Sequence, residues 1–220
     1  MASQVQPNRS VVLLHGIRTT GKLNVLRFEK PLQEAGYHIH PFDLPFTFFR
    51  ETVLNPRADR ERAAELAASL QDRRPHLIAH SNGARVACLA MEQGAQFDTV
   101  IFFAPAWSST KRFPKNGFKR LIVIHSNADM PLRLGGMIPG HDFGWLGLRG
   151  YHGPSDARIR NIPATGTAHM AYFQDAQWQR WSRFALKALA DDVPKSEPRE
   201  NMARVAAMLP RLSLTATITH

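Results

Sequence analysis

The chain has 220 residues, of which 44% are hydrophobic, 28 are Lys or Arg and 18 are Asp or Glu, for a formal net charge of +10. That length suits one domain with a substantial core, the single cysteine excludes an internal disulfide, and no stretch approaches the ~20 apolar residues of a membrane-spanning helix. Arginine outnumbers lysine 21 to 7 and is spread along the chain, so the basicity reads as a surface property first and an attraction to anionic lipid or polymer second. A specific nucleic-acid interface would instead gather charge on one face among aromatics.

Residues 1–10 lack the apolar core of a signal peptide, and the expected setting is intracellular, in the cytoplasm. Val11-Val12-Leu13-Leu14 is long enough for a buried strand and ends in His15-Gly16-Ile17-Arg18. Val25, Phe28, Leu32 and Ala35 then repeat at helical spacing, with Gly36 where a left-handed cap is expected. His38-Ile39-His40-Pro41-Phe42 reads as a strand that lies near an edge or ends early at its proline. Its two histidines read as solvent-facing positions in preference to metal ligands. Ala63, Leu66, Ala67 and Leu70 mark a second helix.

The apolar run His76-Leu77-Ile78 leads into Ala79-His80-Ser81-Asn82-Gly83, after which Ala84, Ala87, Cys88 and Met91 take up helical spacing. Cys88 lies on that inward stripe and reads as a small core residue. Two further apolar strands follow, Thr99–Ala104 and Leu121–Ser126, then an alternating run at Arg158–Pro163. Trp178, Trp181, Ala185 and Leu189 form a third helical stripe. Strands alternating with helices mean a parallel sheet covered on both faces. The expected architecture is α/β, a doubly wound and mostly parallel sheet of about six strands in a domain spanning 1–190. Residues 191–220 form a basic tail with a short helical pattern at Met202, Val205, Ala206 and Leu209.

A strand that breaks on a serine flanked by small residues and opens into a helix has the pattern of a nucleophile elbow. A serine at the tip of such a turn needs a backbone conformation strained for any residue with a Cβ, and small neighbours where strand and helix nearly touch. Ala79 and Gly83 supply those neighbours. The usual pattern is G-x-S-x-G, and here alanine replaces the first glycine. The alternative reading of Ser81 is an ordinary helix N-cap.

A strand ending in His-Gly upstream of a serine elbow resembles the α/β-hydrolase superfamily, and the resemblance covers about residues 10–190. It implies a serine hydrolase of the esterase or lipase kind. By position it implies oxyanion-hole donors at the N–H groups of Ile17 and Asn82, with Gly16 allowing close approach of the backbone. It places an acid after the strand at 121–126, where Asp129 stands, and a base after the last strand, where His169 stands. The chain order Ser81, Asp129, His169 is the order this superfamily uses. Asp142 and Asp156 are the alternative acids, and His141 and His152 the alternative bases. His15 reads as a brace for its loop. The two antiparallel strands that open larger relatives are expected to be missing.

Within this frame Arg18 is placed to meet an anionic substrate group. Trp107, Phe143 and Trp145 are expected at the rim of the crevice. The glycine-rich segment Met130–Ser155 reads either as an apolar flap over an acyl pocket or as a floppy loop. Ser108–Lys119 is too short for a large cap domain. No metal or phosphate-loop spacing occurs, and the chemistry needs no cofactor. The expected function is cleavage of a carboxylic ester, with a small-molecule ester or lipid as partner. The alternatives are a non-catalytic binding module on the same fold, and a thioesterase or acyltransferase using the same three residues.

Overall fold

The computed structural model describes residues 9–16, 24–40, 42, 56–71, 73–137 and 143–191. Ile17, Arg18, Pro41, His141, Asp142 and the tail helix pattern at 202–209 lie outside the described residues. Six strands form one sheet: β1 (Ser10–Leu14), β2 (His38–His40), β3 (His76–His80), β4 (Phe97–Phe103), β5 (Phe118–His125) and β6 (Ile159–Pro163). They run in the order β2-β1-β3-β4-β5-β6, and every neighbouring pair is parallel.

Alternate residues of each strand feed two cores, because side chains alternate across a sheet. Val12, Leu14, Leu77, Ala79, Val100, Phe102, Leu121 and Val123 face one side. There they meet α2 (Pro56–Leu70) through Ala63, Leu66 and Leu70, and α3 (Asn82–Glu92) through Ala84, Ala87, Cys88 and Met91. Val11, Leu13, Ile78, Ile101, Phe103, Ile122 and Ile124 face the other side. They pack on Val25, Phe28 and Leu32 from the first helical segment and on Trp181, Ala185 and Leu189 of α6 (Asp175–Ala190). The sheet is doubly wound. Strands β3 and β4 are buried along their whole length, as central strands covered on both faces must be.

Three local details depart from the periodicity. The first helical stripe is split into a 3₁₀ turn, Val25–Phe28, and α1, Glu29–Glu34. Pro31 falls in the first turn of α1, where a missing N–H costs little. Gly36 takes φ +81° as expected of the cap, and Tyr37 N–H reaches back to the Leu32 carbonyl. Edge strand β2 stops at His40, whose ring pairs with Ser69 Oγ at 3.3 Å. His38 is exposed, whereas His40 rests partly buried on α2.

The segment after β5 also differs from its sequence pattern. It holds two short helices, α4 (Met130–Gly135) and α5 (Leu146–Arg149). Phe143, Leu146 and Leu148 are buried, Leu146 N–H donates to the Trp107 carbonyl, and Ser126 N–H donates to the Gly147 carbonyl. The part from Phe143 to Gly150 is docked against Trp107 and the end of β5, whereas Met130, Leu134 and Met137 are exposed, so the described residues are not a floppy loop. The sequence hid this because each helix is too short to show a period.

Candidate active site

From β1 the chain passes outward to β2 and then returns to the other side of β1 as β3. That reversal leaves a crevice at the carboxyl ends of β1 and β3, where ligands bind in open parallel sheets. Both strands end on the residues singled out above: His15-Gly16 after β1 and Ser81 after β3.

Ser81 has φ 53° and ψ −121° and makes no capping hydrogen bond with its side chain. A positive φ at a residue with a Cβ costs of order 1–3 kcal/mol, and it survives only where the surroundings impose it. They do so at several points. Ser81 N–H donates to the Phe103 carbonyl, and the Ser81 carbonyl accepts from Ala84 and Ala106 N–H, each at 3.1 Å. A Cβ on Gly83 would lie 2.4 Å from the Leu14 carbonyl oxygen, so only glycine lets α3 start this close to β1. A Cβ on Gly16 would stand 2.9 Å from Ser81 Cβ. The structure thus favours the elbow reading over the capping reading.

His169 arrives from the loop after β6. There Gly166 takes φ +77°, and Thr167 N–H closes a turn on the Ala164 carbonyl. Its Nε2 stands 3.0 Å from Ser81 Oγ, and its Nδ1 stands 2.7 Å from Asp129 Oδ2. A carboxylate can only accept, so the proton sits on Nδ1 and the Nε2 lone pair faces the serine hydroxyl. Asp129 is fully buried at 0% exposure, Ser81 is 8% exposed, and the His169 side chain is 14% exposed.

Asp129 is held from its other oxygen. It caps α4, with Oδ1 accepting from Leu132 N–H at 3.0 Å. The two alternatives within the described residues are engaged elsewhere. Asp156 is paired with Arg158 at 2.7 Å, which lowers its pKa, and His152 Nε2 lies 2.9 Å from the Arg149 carbonyl. His15 Nδ1 lies 2.8 Å from the Gly16 carbonyl, consistent with a brace.

Two buried side chains near this row carried no sequence expectation. His80 is fully buried, its Nε2 donates to the His169 carbonyl at 3.0 Å, and its ring lies 4.6 Å from that of His169. Burial first, then the neighbouring His169, pushes its pKa well below 6.5, so it is a neutral ring. Tyr172, buried in the 3₁₀ turn after His169, has its pKa raised by burial and then by the Asp129 charge. Among the described residues no group of three or more His, Cys, Asp or Glu side chains is arranged to hold a metal ion.

The sequence profile of the alpha/beta hydrolase family matches residues 11–218. The chain belongs to the alpha/beta hydrolase family. No curated protein sequence matches it, but solved structures do. A monoacylglycerol lipase from Paleococcus ferrophilus is 12% identical, with 83% of this chain and 94% of that one covered at a TM-score of 0.57. A dienelactone hydrolase-like promiscuous phosphotriesterase from metagenomic libraries is 10% identical, with 84% and 87% covered at 0.58. An esterase from Pyrococcus furiosus is 15% identical, with 84% and 83% covered at 0.50. At these identities the likeness is one of fold.

The aromatic residues expected at the rim of the hydrolase crevice lie elsewhere in part. Trp107 is only 2% exposed, and its ring lies under Lys111 Nζ at 4.6 Å and 5.9 Å from the Arg85 guanidinium. Phe143 is likewise buried, 5.7 Å from the same guanidinium. Both are wall residues around a buried cation, which draws aromatic faces toward it. Trp145 alone of the three is half-buried, with Arg149 over its ring at 4.8 Å. Arg85 has a sequence signal of its own: it is the one charge between Ser81 and Glu92 in a largely apolar run.

Proposed function

We propose that the chain is a serine hydrolase that cleaves carboxylic esters through an acyl-enzyme. The observation that carries this reading is the unbroken row Asp129 Oδ2–His169 Nδ1–His169 Nε2–Ser81 Oγ, at 2.7 and 3.0 Å. In it Ser81 Oγ attacks the acyl carbonyl as its proton passes to His169 Nε2. Asp129 stays ionised, holds the imidazole in the productive tautomer and stabilises its cation. The C–O bond to the leaving alcohol breaks as His169 returns the proton to that oxygen. Water then attacks the acyl-serine by the same route in reverse, releasing the acid and restoring Ser81.

The negative charge on the tetrahedral oxygen would be met at the N-terminus of α3, whose first N–H groups lack partners within the helix. Asn82 N–H is the donor there, and Ile17 N–H is the proposed second donor. Each such donor is worth roughly 3–4 kcal/mol in comparable sites. Arg18 is proposed to meet an anionic group of the substrate. Esters are the proposed substrate class, in keeping with similar folds named as a lipase and an esterase, and the test below decides it.

A fluorophosphonate probe tests the reading. Expected is covalent labelling of the wild type that is lost in Ser81→Ala, together with turnover of a p-nitrophenyl ester that is lost in parallel. An unlabelled, folded wild type would overturn it.

A further inference from the structure

Beside Ser81 lies a buried ionic cluster that the proposed chemistry does not use. Asp59, in the first turn of α2, accepts from Asn82 Nδ2 on Oδ1 at 3.1 Å and from Arg85 Nε on Oδ2 at 2.9 Å. Both charged side chains are 9% exposed. Arg85 is in turn flanked by the rings of Trp107 and Phe143. A buried ion pair is weak evidence for stability, because desolvating two charges offsets much of their attraction. Its cost is offset if the cluster has another role.

That role follows from which peptide Asp59 reaches. The Ser81–Asn82 peptide carries both the Ser81 carbonyl and the Asn82 N–H, which point in opposite directions across one rigid plane. The carbonyl side is pinned by Ala84 and Ala106 N–H. The far side is free to tip unless the Asn82 residue itself is held, and its side chain is held by Asp59. Resting on the ester-hydrolase reading above, we propose that Asp59 is a positioning residue that aims the Asn82 N–H at the developing oxyanion through the Asn82 side chain. Arg85 Nε holds the Asp59 carboxylate by Oδ2, which leaves Oδ1 turned toward Asn82.

The bland alternative is that the cluster only docks α2 on α3. The two differ in what they change. An aim toward the oxyanion matters only when charge develops, so its loss lowers kcat and leaves KM nearly alone. Asn82→Ala is the key variant, because it keeps the peptide N–H and removes only the tether. Asp59→Asn removes the charge at the other end. Using p-nitrophenyl acetate, with folding verified by thermal melts, the expected result is a fall in kcat of about 10- to 100-fold in each variant, below the full loss of a donor. KM should stay within about two-fold. The double variant should be no worse than the poorer single, since both cut one link.

Phosphonylation by the fluorophosphonate should slow in step, because its P=O oxygen occupies the same place. An active wild type with an unchanged Asn82→Ala would overturn this proposal alone, as would losses that multiply in the double variant. An inactive, unlabelled wild type would remove the hydrolase reading beneath it as well.

Discussion

The His80 ring donates from Nε2 to the His169 carbonyl at 3.0 Å, so the residue before Ser81 holds the backbone of His169, the proposed base. Ring-on-ring contact at 4.6 Å adds a constraint on charge: a cation on His80 would sit beside the imidazolium that the proposed mechanism forms at His169. Burial keeps His80 neutral, with its pKa well below 6.5.

This neutral histidine makes stability depend on pH. Below about pH 6.5 the unfolded chain takes a proton at His80, whereas the folded chain, with its depressed pKa, does not. The unfolded state then binds more protons, so stability rises with pH and is lost on acidification from 6.5 downward, at up to about 1.4 kcal/mol per pH unit. His40 and His125 are shifted in the same direction by burial and contribute with the same sign. The contribution of His80 is therefore read by difference. Urea midpoints of wild type and His80→Gln at pH 7.5, 6.5 and 5.5 should show a shallower acid loss in the variant. Equal slopes would mean that His80 can be protonated in the folded chain.

Two glycines separate fold from chemistry. On Gly83 a Cβ would meet backbone oxygens of Leu14 and His15 at 2.4 and 2.6 Å, so Gly83→Ala must push α3 off β1. Overpacking of this kind costs about 1–3 kcal/mol, read from urea unfolding. On Gly16 a Cβ would meet Ser81 Cβ and His80 Nδ1, at 2.9 and 3.2 Å, which are side-chain atoms of the site itself. Gly16→Ala should thus lower ester turnover more than it lowers stability. The reverse ranking would move the close approach of β1 from the site to the scaffold.

Much of this geometry was legible in the sequence because it depends on chain order and residue size. The apolar runs at 11–14, 76–78 and 99–104 are central strands, and a small-serine-small break after a strand leaves few conformations open to it. Ala104 reads as part of β4 because it is apolar, but its φ of 45° takes it out of the strand, which ends at Phe103. Trp107 and Phe143 are buried away from the expected rim for a different reason. An aromatic residue in a loop looks like a rim residue unless its buried partner is known, and Arg85 lies more than 20 positions from either. Asp59 gave no signal at all, since Arg57-Ala58-Asp59-Arg60-Glu61-Arg62 reads as a solvated face until α2 is laid on α3.

Asp129 offers a sharper test of the row, because both of its oxygens are committed. In Asp129→Asn the side-chain oxygen remains needed by Leu132 N–H, and asparagine caps helices about as well as aspartate. The amide NH₂ must then face His169 Nδ1, which has to accept. The imidazole proton moves to Nε2, and Ser81 loses its base. Turnover should fall by roughly 10⁴ with little change in folding stability. Near-wild-type activity in a folded Asp129→Asn would take Asp129 out of the row, with Asp142 the next residue to test.

Substrate length should be read by Trp145 and not by Trp107. Trp107 is sealed between Lys111, Arg85 and the α5 segment, whose Leu146 N–H donates to its carbonyl. Its replacement removes a large buried ring, so Trp107→Ala should cost about 3–5 kcal/mol of stability and depress turnover of all esters alike. Trp145 is half-buried, packs against the core on the other face of the sheet and keeps exposed surface, which is the surface proposed to meet an acyl chain. Burying acyl surface gains about 25 cal/mol per Å², or up to ~0.8 kcal/mol per methylene, until the surface is used. A p-nitrophenyl series from acetate to decanoate should therefore give a rising kcat/KM in wild type and a flatter one in Trp145→Ala, with the acetate value largely kept. A flattened profile in a stable Trp107→Ala, with Trp145→Ala unchanged, would reverse the assignment and return Trp107 to the crevice.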